Sequence, residues 1–205
     1  MLSAILLTVP AVVSAQRPPA PESPMLLAPR SQAGLGLFLV ETAFGGIGGV
    51  GIWRSPYNWG LRVGVAEDSD DPAVFGGLDF AGALARQTRD LPLDIDWLIG
   101  AFLSAGDNVM ISAPLGLTAG HTFVAQGATF TPFFAPRLVL DVLFFEDAPP
   151  DEDDSDVDLD VAADLGLDLR LSGFQPVVRF AASLGRDAIG IGLVFGPSAR
   201  RRAAR

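Results

Sequence analysis

Apolar and polar residues alternate along most of the chain, and the alternation is longest between Asp156 and Leu171. There Val157, Leu159, Val161, Ala163, Leu165, Leu167, Leu169 and Leu171 hold every odd position, opposite Asp156, Asp158, Asp160, Ala162, Asp164, Gly166, Asp168 and Arg170. Successive side chains of a strand point to opposite faces, so this segment predicts a long strand with one apolar and one ionic face. The same pattern runs over Leu91–Leu103, with Asp94 and Asp96 on the polar side, and over Phe134–Phe144, with Arg137 and Asp141. Weaker copies span Trp59–Ala66 with Arg62, Ala73–Leu84 with Asp79, Asn108–Ala119 with Ser112 and Thr118, Pro176–Leu184 with Arg179, and Ala188–Phe195. Turn-forming residues punctuate them at Ser55–Asn58, Asp68–Pro72, Gly106–Asn108, Ser172-Gly173 and Gly185–Asp187. Helical periodicity is almost absent, because Gly or Pro interrupts every window long enough for a substantial helix.

Eight strands are thus expected from Trp59 onward, and the Gly-rich run GLGLFLVETAFGGIGGVGIWR before them adds one or two. The fold class is all-β, an antiparallel up-and-down barrel of about ten strands, with eight as the alternative count. Pro114 lies inside a predicted strand and lacks a ladder donor, which calls for a bulge there.

Alternation alone suits a soluble sandwich with its apolar face inward equally well. Three features favour apolar-outward strands and hence a transmembrane barrel. The polar face mixes Gly and Ala with Arg62, Asp79, Asp94, Asp96, Arg137, Asp141, Asp158, Asp160, Asp164, Asp168, Arg170 and Arg179. Small residues among opposed charges suit a narrow lumen where Arg and Asp pair, so these twelve are the candidate lumen-facing set. The strands approach or exceed the ~9–11 residues that cross a bilayer obliquely. Trp53, Tyr57, Trp59, Phe123, Phe130, Phe174 and Phe195 fall near strand ends, as interfacial aromatic girdles do.

The chain ends and the composition refine this picture. Residues 1–15, MLSAILLTVPAVVSA, are uncharged, apolar and end in Val-Ser-Ala, which reads as a secretory signal cleaved before Gln16. Residues 16–33 are Pro-rich and read as an extended linker outside the core, residues 34–196 as the barrel, and residues 197–205 as an Arg-rich tail. All 14 basic residues are Arg against 24 acidic ones, a net charge of −10 that opposes nucleic-acid binding. The absence of Cys excludes disulfides, thiolate metal sites and cysteine nucleophiles.

On these residues the chain resembles small bacterial outer-membrane β-barrels of the OmpA/OmpX-like kind. Their last strand carries an assembly signal, polar-x-Gly-x-x-apolar-x-aromatic. Gly190, Leu193 and Phe195 stand at its matching positions, with Ala188 in place of the polar residue and ten residues after Phe195. The resemblance implies a location in the outer membrane of a Gram-negative bacterium. It also implies contact with lipid and lipopolysaccharide, insertion by the barrel-assembly machinery, and both termini on the periplasmic side. The turn at Gly185–Asp187 and the acidic run Glu146–Asp156 would then face outward, with Phe144 and Phe145 at one membrane interface and Phe174 and Phe195 at the other.

Candidate chemistry is sparse. Gly46-x-Gly48-Gly49-x-Gly51 satisfies a dinucleotide-binding spacing, but no helix follows to present amides to a pyrophosphate. His121 is the only histidine, which excludes a multi-His metal site and leaves one residue around which a hydrolase would have to be built. Asp154-x-Asp156-x-Asp158 resembles the start of a calcium loop without its Gly or distal Glu, so the acidic run is expected to attract divalent cations only weakly. No catalytic residue, metal or cofactor is assigned. The expected function is a structural or surface-interaction barrel, or a narrow cation-leaning, porin-like pore. The alternatives are a secreted or periplasmic soluble β-sandwich or lipocalin-like binding protein, and an outer-membrane lipid-modifying enzyme.

Overall fold

The computed structural model describes residues 19–31, 33–42, 46–68, 71–145 and 155–196. Its strands are β1 Gly34–Glu41, β2 Ile47–Arg54, β3 Trp59–Asp68, β4 Asp71–Ala85, β5 Asp94–Ala105, β6 Asn108–Gly120, β7 Phe123–Ala125, β8 Ala128–Phe145, β9 Ser155–Leu171, β10 Val177–Leu184 and β11 Ala188–Phe195. Sequential strands pair antiparallel from β1 to β6 and from β7 to β11, β1 pairs β11, and β6 pairs β8, so ten strands close into a barrel. The remaining strand, the three-residue β7, is a flap on the start of β8. Closure leaves the barrel wall without the open edges of a free sheet.

The Gly-rich run forms both β1 and β2, which makes the strand count ten rather than eight. Pro114 produces no bulge. Pairing of β6 with β5 skips Ala113 and Pro114 but resumes in the same register, from Ile99↔Leu115 to Phe102↔Ser112, while Pro114↔Val139 keeps the ladder to β8 intact. The missing N–H therefore interrupts one ladder without inserting a residue. The irregularity of the wall lies instead at Ala83/Ala85 of β4.

Leu37, Val63, Leu78, Ile99, Leu115, Leu138, Leu165 and Ile191 are exposed on the outer face, while their neighbours in sequence point into the tube. Inside are apolar Phe38, Val40, Val50, Ile52, Phe75, Leu98, Phe102, Phe133 and Val139, together with most of the charged candidates. Four of the inward rings sit over glycines of the wall. Phe38 covers Gly36 and Gly192, Phe75 covers Gly64, Phe102 covers Gly77 and Gly100, and Phe133 covers Gly166. A β-carbon at Gly166 would come within 2.0 Å of Phe133 Cζ, and one at Gly64 within 2.4 Å of Phe75 Cζ. Glycine here lets bulky rings hug the wall and leaves the axis free.

The start of β1 and the finish of β11 define one end of the barrel, with Leu35 opposite Phe195. The connections 55–58, 86–93, 121–127 and 172–176 share this terminal end; 106–107 and 185–187 lie at the far end, where β1, β3 and β8 finish and β2, β4 and β9 begin. Exposed aromatics gather at the terminal end, where Tyr57, Phe123, Phe174 and Phe195 join an edge-to-face Trp53–Trp59 pair with centroids 4.8 Å apart. Phe144 marks the far end.

Candidate functional site

Among the described residues the charged side chains converge in the lumen, and it is occupied by the chain itself. Residues 20–31 run through it from Glu22, whose carboxylate faces Arg186 in the far-end turn, to Arg30, whose Nε lies 2.8 Å from Asp94 Oδ2 at the terminal mouth. Met25, Leu26, Leu27 and Ala28 are buried there against Phe38, Phe133, Leu98 and Phe102. The linker expectation is thus corrected for these residues: the prolines prevent strand pairing, but the segment fills the core. Turns Ser23 N–H to Ala20 O and Ser31 N–H to Ala28 O, and left-handed φ at Leu26 and Arg30, keep it irregular.

A segment without strand partners leaves its backbone polar groups unpaired unless the wall supplies partners. Arg62 donates from Nη1 to Pro21 O at 3.1 Å, and from Nη2 to Pro24 O at 2.8 Å and Met25 O at 2.6 Å. Its guanidinium carbon also sits 5.5 Å from the Phe102 ring centroid. Arg179 donates to Leu26 O, and Thr118 Oγ1 donates to Leu27 O at 3.1 Å. In the opposite sense, Met25 N–H donates to Asp164 Oδ2 at 2.6 Å and Arg30 N–H to Asp96 Oδ2 at 3.0 Å. Cationic wall groups meet carbonyls and anionic ones meet amides, the charge-assisted combination that a buried backbone requires.

The wall also neutralises itself in three levels. At the terminal mouth Arg54 pairs with Asp79, Arg86 with Asp96, and Arg179 with Asp168 through Nε–Oδ1 at 2.6 Å and Nη2–Oδ2 at 2.8 Å. Deeper in, Arg137 Nη1 lies 2.7 Å from Asp164 Oδ1, both side chains wholly buried. Toward the far end Arg186 Nη1 lies 2.6 Å from Asp141 Oδ2, and its other nitrogens face Glu22 at 3.6 Å and Asp160 at 3.4 Å. Burial works against the charge on Arg186, yet Glu22, Asp141 and Asp160 together outweigh it and hold its pKa above the ordinary arginine value. Asp141 further accepts from Ser112 Oγ at 2.6 Å.

Of the twelve candidate lumen residues, Arg62, Asp79, Asp94, Asp96, Arg137, Asp141, Asp164 and Arg179 are buried inside. Asp160 and Asp168 are half-buried. Asp158 and Arg170 are exposed, because β10 pairs only with Ala163–Leu169 of β9, and both residues lie beyond that stretch. Arg170 instead lines a cavity of about 200 Å³ at the terminal mouth, with Arg30, Thr129, Thr131 and Asp168. Gly190 is inward-facing, and a β-carbon there would touch Leu26 and Pro24, while Phe195 is exposed at the end of β11.

Several contributors were not legible in the alternation. Arg54 and Arg186 lie at the end of a strand and in a turn, and Glu22 and Arg30 in the Pro-rich segment. The sequence signal available for them was the surplus of Asp on the inward faces, which demands counter-charges from elsewhere. Gly48, Gly49 and Gly51 belong to strand β2, with strand β3 next, so no phosphate-cradling helix terminus exists there. The His121 ring contacts Pro92 O through Nδ1 and stacks edge-on to Phe123 at 4.2 Å. Among the described residues no three His, Asp or Glu side chains are grouped to hold a metal. Most of the acidic run, residues 146–154, lies outside the described residues.

The site and fold together define a closed, ten-stranded antiparallel barrel with an intramolecular lumen filling. Comparison with family models, with curated proteins and with solved structures finds no match.

Proposed function

We propose that the chain is an integral β-barrel of a bacterial outer membrane, of the small OmpA/OmpX-like kind, with a structural or surface-interaction role. The observation that carries this is the sidedness of the closed wall. Leu, Val, Ile and Phe side chains cover the outside all round, and ion pairs occupy the inside. A continuous apolar belt far exceeds the few hundred Å² that a typical soluble monomer exposes in one patch, and it matches the lipid-facing band of membrane barrels. In this setting lipid and lipopolysaccharide cover the belt. The last strand, with Gly190, Leu193 and Phe195, is what the insertion machinery reads.

Cell fractionation combined with gel mobility before and after heating tests the proposal. The expected result is protein in the outer-membrane fraction that migrates as a compact species until boiled. Protein recovered in the soluble fraction and monodisperse without detergent would overturn it in favour of a soluble barrel.

A further inference from the structure

We propose that the lumen is an ion path stopped by residues 20–31 of the same chain, with Arg62 as the principal latch. This rests on the membrane-barrel function proposed above and adds a regulated activity to it.

The stopper spans the lumen between Glu22 beside Arg186 and Arg30 beside Asp94. It belongs to none of the ladders, since every strand of the closed barrel pairs only with other strands. Withdrawing it therefore breaks no inter-strand hydrogen bond. Nor does it strand most of the lumen charges: Arg54–Asp79, Arg86–Asp96, Arg137–Asp164, Arg179–Asp168 and Arg186–Asp141 are pairs that do not involve the stopper. Arg62 differs, because its hydrogen bonds go to three carbonyls of the stopper. The rings that would otherwise collapse into an emptied lumen are already laid against Gly36, Gly64, Gly77 and Gly166. What is left after withdrawal is a tube lined partly by apolar rings and partly by Arg–Asp pairs, and water enters it along the charged part of the wall.

Inside the emptied wall Asp79, Asp94, Asp96, Asp141, Asp164 and Asp168 are balanced by Arg54, Arg62, Arg86, Arg137, Arg179 and Arg186. At the mouths Asp158 and Asp160 stand at the far rim against Arg170 at the terminal one, and this negative excess at the far rim favours cations there.

The experiment compares the intact chain with one in which a protease site is inserted between Ser31 and Gly34, so that the barrel folds with its stopper and is cut afterwards. A deletion of residues 20–31 serves as a second variant. Each is placed in planar bilayers, with heat-modifiable mobility as the control for a folded barrel. The intact chain should be nearly silent. Cutting, or deletion, should raise K⁺ conductance on the order of ten-fold or more, with K⁺ preferred to Cl⁻. Synthetic PAPESPMLLAPRS, residues 19–31, should then suppress the current. An intact chain that conducts as well as the cut one overturns the stopper. A cut and deleted barrel that stays heat-modifiable in the bilayer yet passes no current overturns the ion path while leaving the membrane barrel standing. Failure of even the intact chain to enter lipid overturns the membrane barrel, and the ion path with it.

Discussion

At the scale of single residues, glycine is set by what lies on top of it. Gly166 is covered by the Phe133 ring, whereas a β-carbon at Gly49 meets nothing within 4 Å. Gly166→Val should push Phe133 toward Leu26 and the lumen axis and cost ~1–3 kcal/mol of overpacking. Gly49→Ala should change stability little; urea titration of the folded, heat-modifiable fraction measures both. Arg62 supplies a second prediction. Arg62→Gln removes the charge and the fork that serve three buried carbonyls, so the segment loses ~1–3 kcal/mol of hold. Trypsin should then cut after Arg30 several-fold faster than in the parent, read by mass spectrometry, and an unchanged rate would show that Arg62 does not hold the segment. Alternation made the inward direction of Arg62 legible. Its partners were not, because they lie 37 to 41 residues away in a segment without periodicity.

At the scale of elements, every strand read from the period of two is present, from β3 beginning at Trp59 to β11 ending at Phe195. The short β7 escaped because three residues are too few to show an alternation. The consequence of Pro114 also needed a three-dimensional neighbour, since whether a lost donor becomes a gap or a bulge depends on how firmly β5 and β8 hold the register on either side. Leu167 points outward on β9 and Asp168 inward toward Arg179. Leu167→Arg should cost ~2–4 kcal/mol in a lipid bilayer, measured by reversible unfolding in vesicles. Asp168→Asn keeps the side chain's shape and one acceptor for Arg179, and should be the milder change. The reverse order would mean that the outer face does not meet lipid. Phe195 closes β11 against Leu35. Phe195→Ala should lower the folded yield in the outer membrane relative to expression, while unchanged yield would separate this strand end from assembly.

At the scale of the whole molecule, the path of the first described residues changes the topology. The resemblance to small outer-membrane barrels implied that both termini share one side. β1 begins and β11 ends together, yet residues 20–22 lie toward the opposite end, on the side where β8 ends at Phe145 and β9 begins at Ser155. A tag placed just before Pro19 and a tag inserted after Pro150 should therefore be labelled together on intact cells, and a tag after Gly196 only after permeabilisation. Labelling of the first together with the last would mean that the segment does not thread the lumen in cells.

The amino-acid sequence by itself determined the strands, their two faces and their turns. These are local properties: the direction of a side chain follows from its parity along the strand, and turns follow from the conformational limits of Gly, Pro, Asn and Asp. Tertiary structure alone decided what occupies the lumen and which Arg meets which Asp. Arg179 reaches Leu26 across 153 positions and Arg137 reaches Ser23 across 114, separations at which no local pattern carries information. The Pro-rich segment could not have announced its burial, because its backbone is satisfied not by its own neighbours but by side chains that only closure of the barrel brings around it.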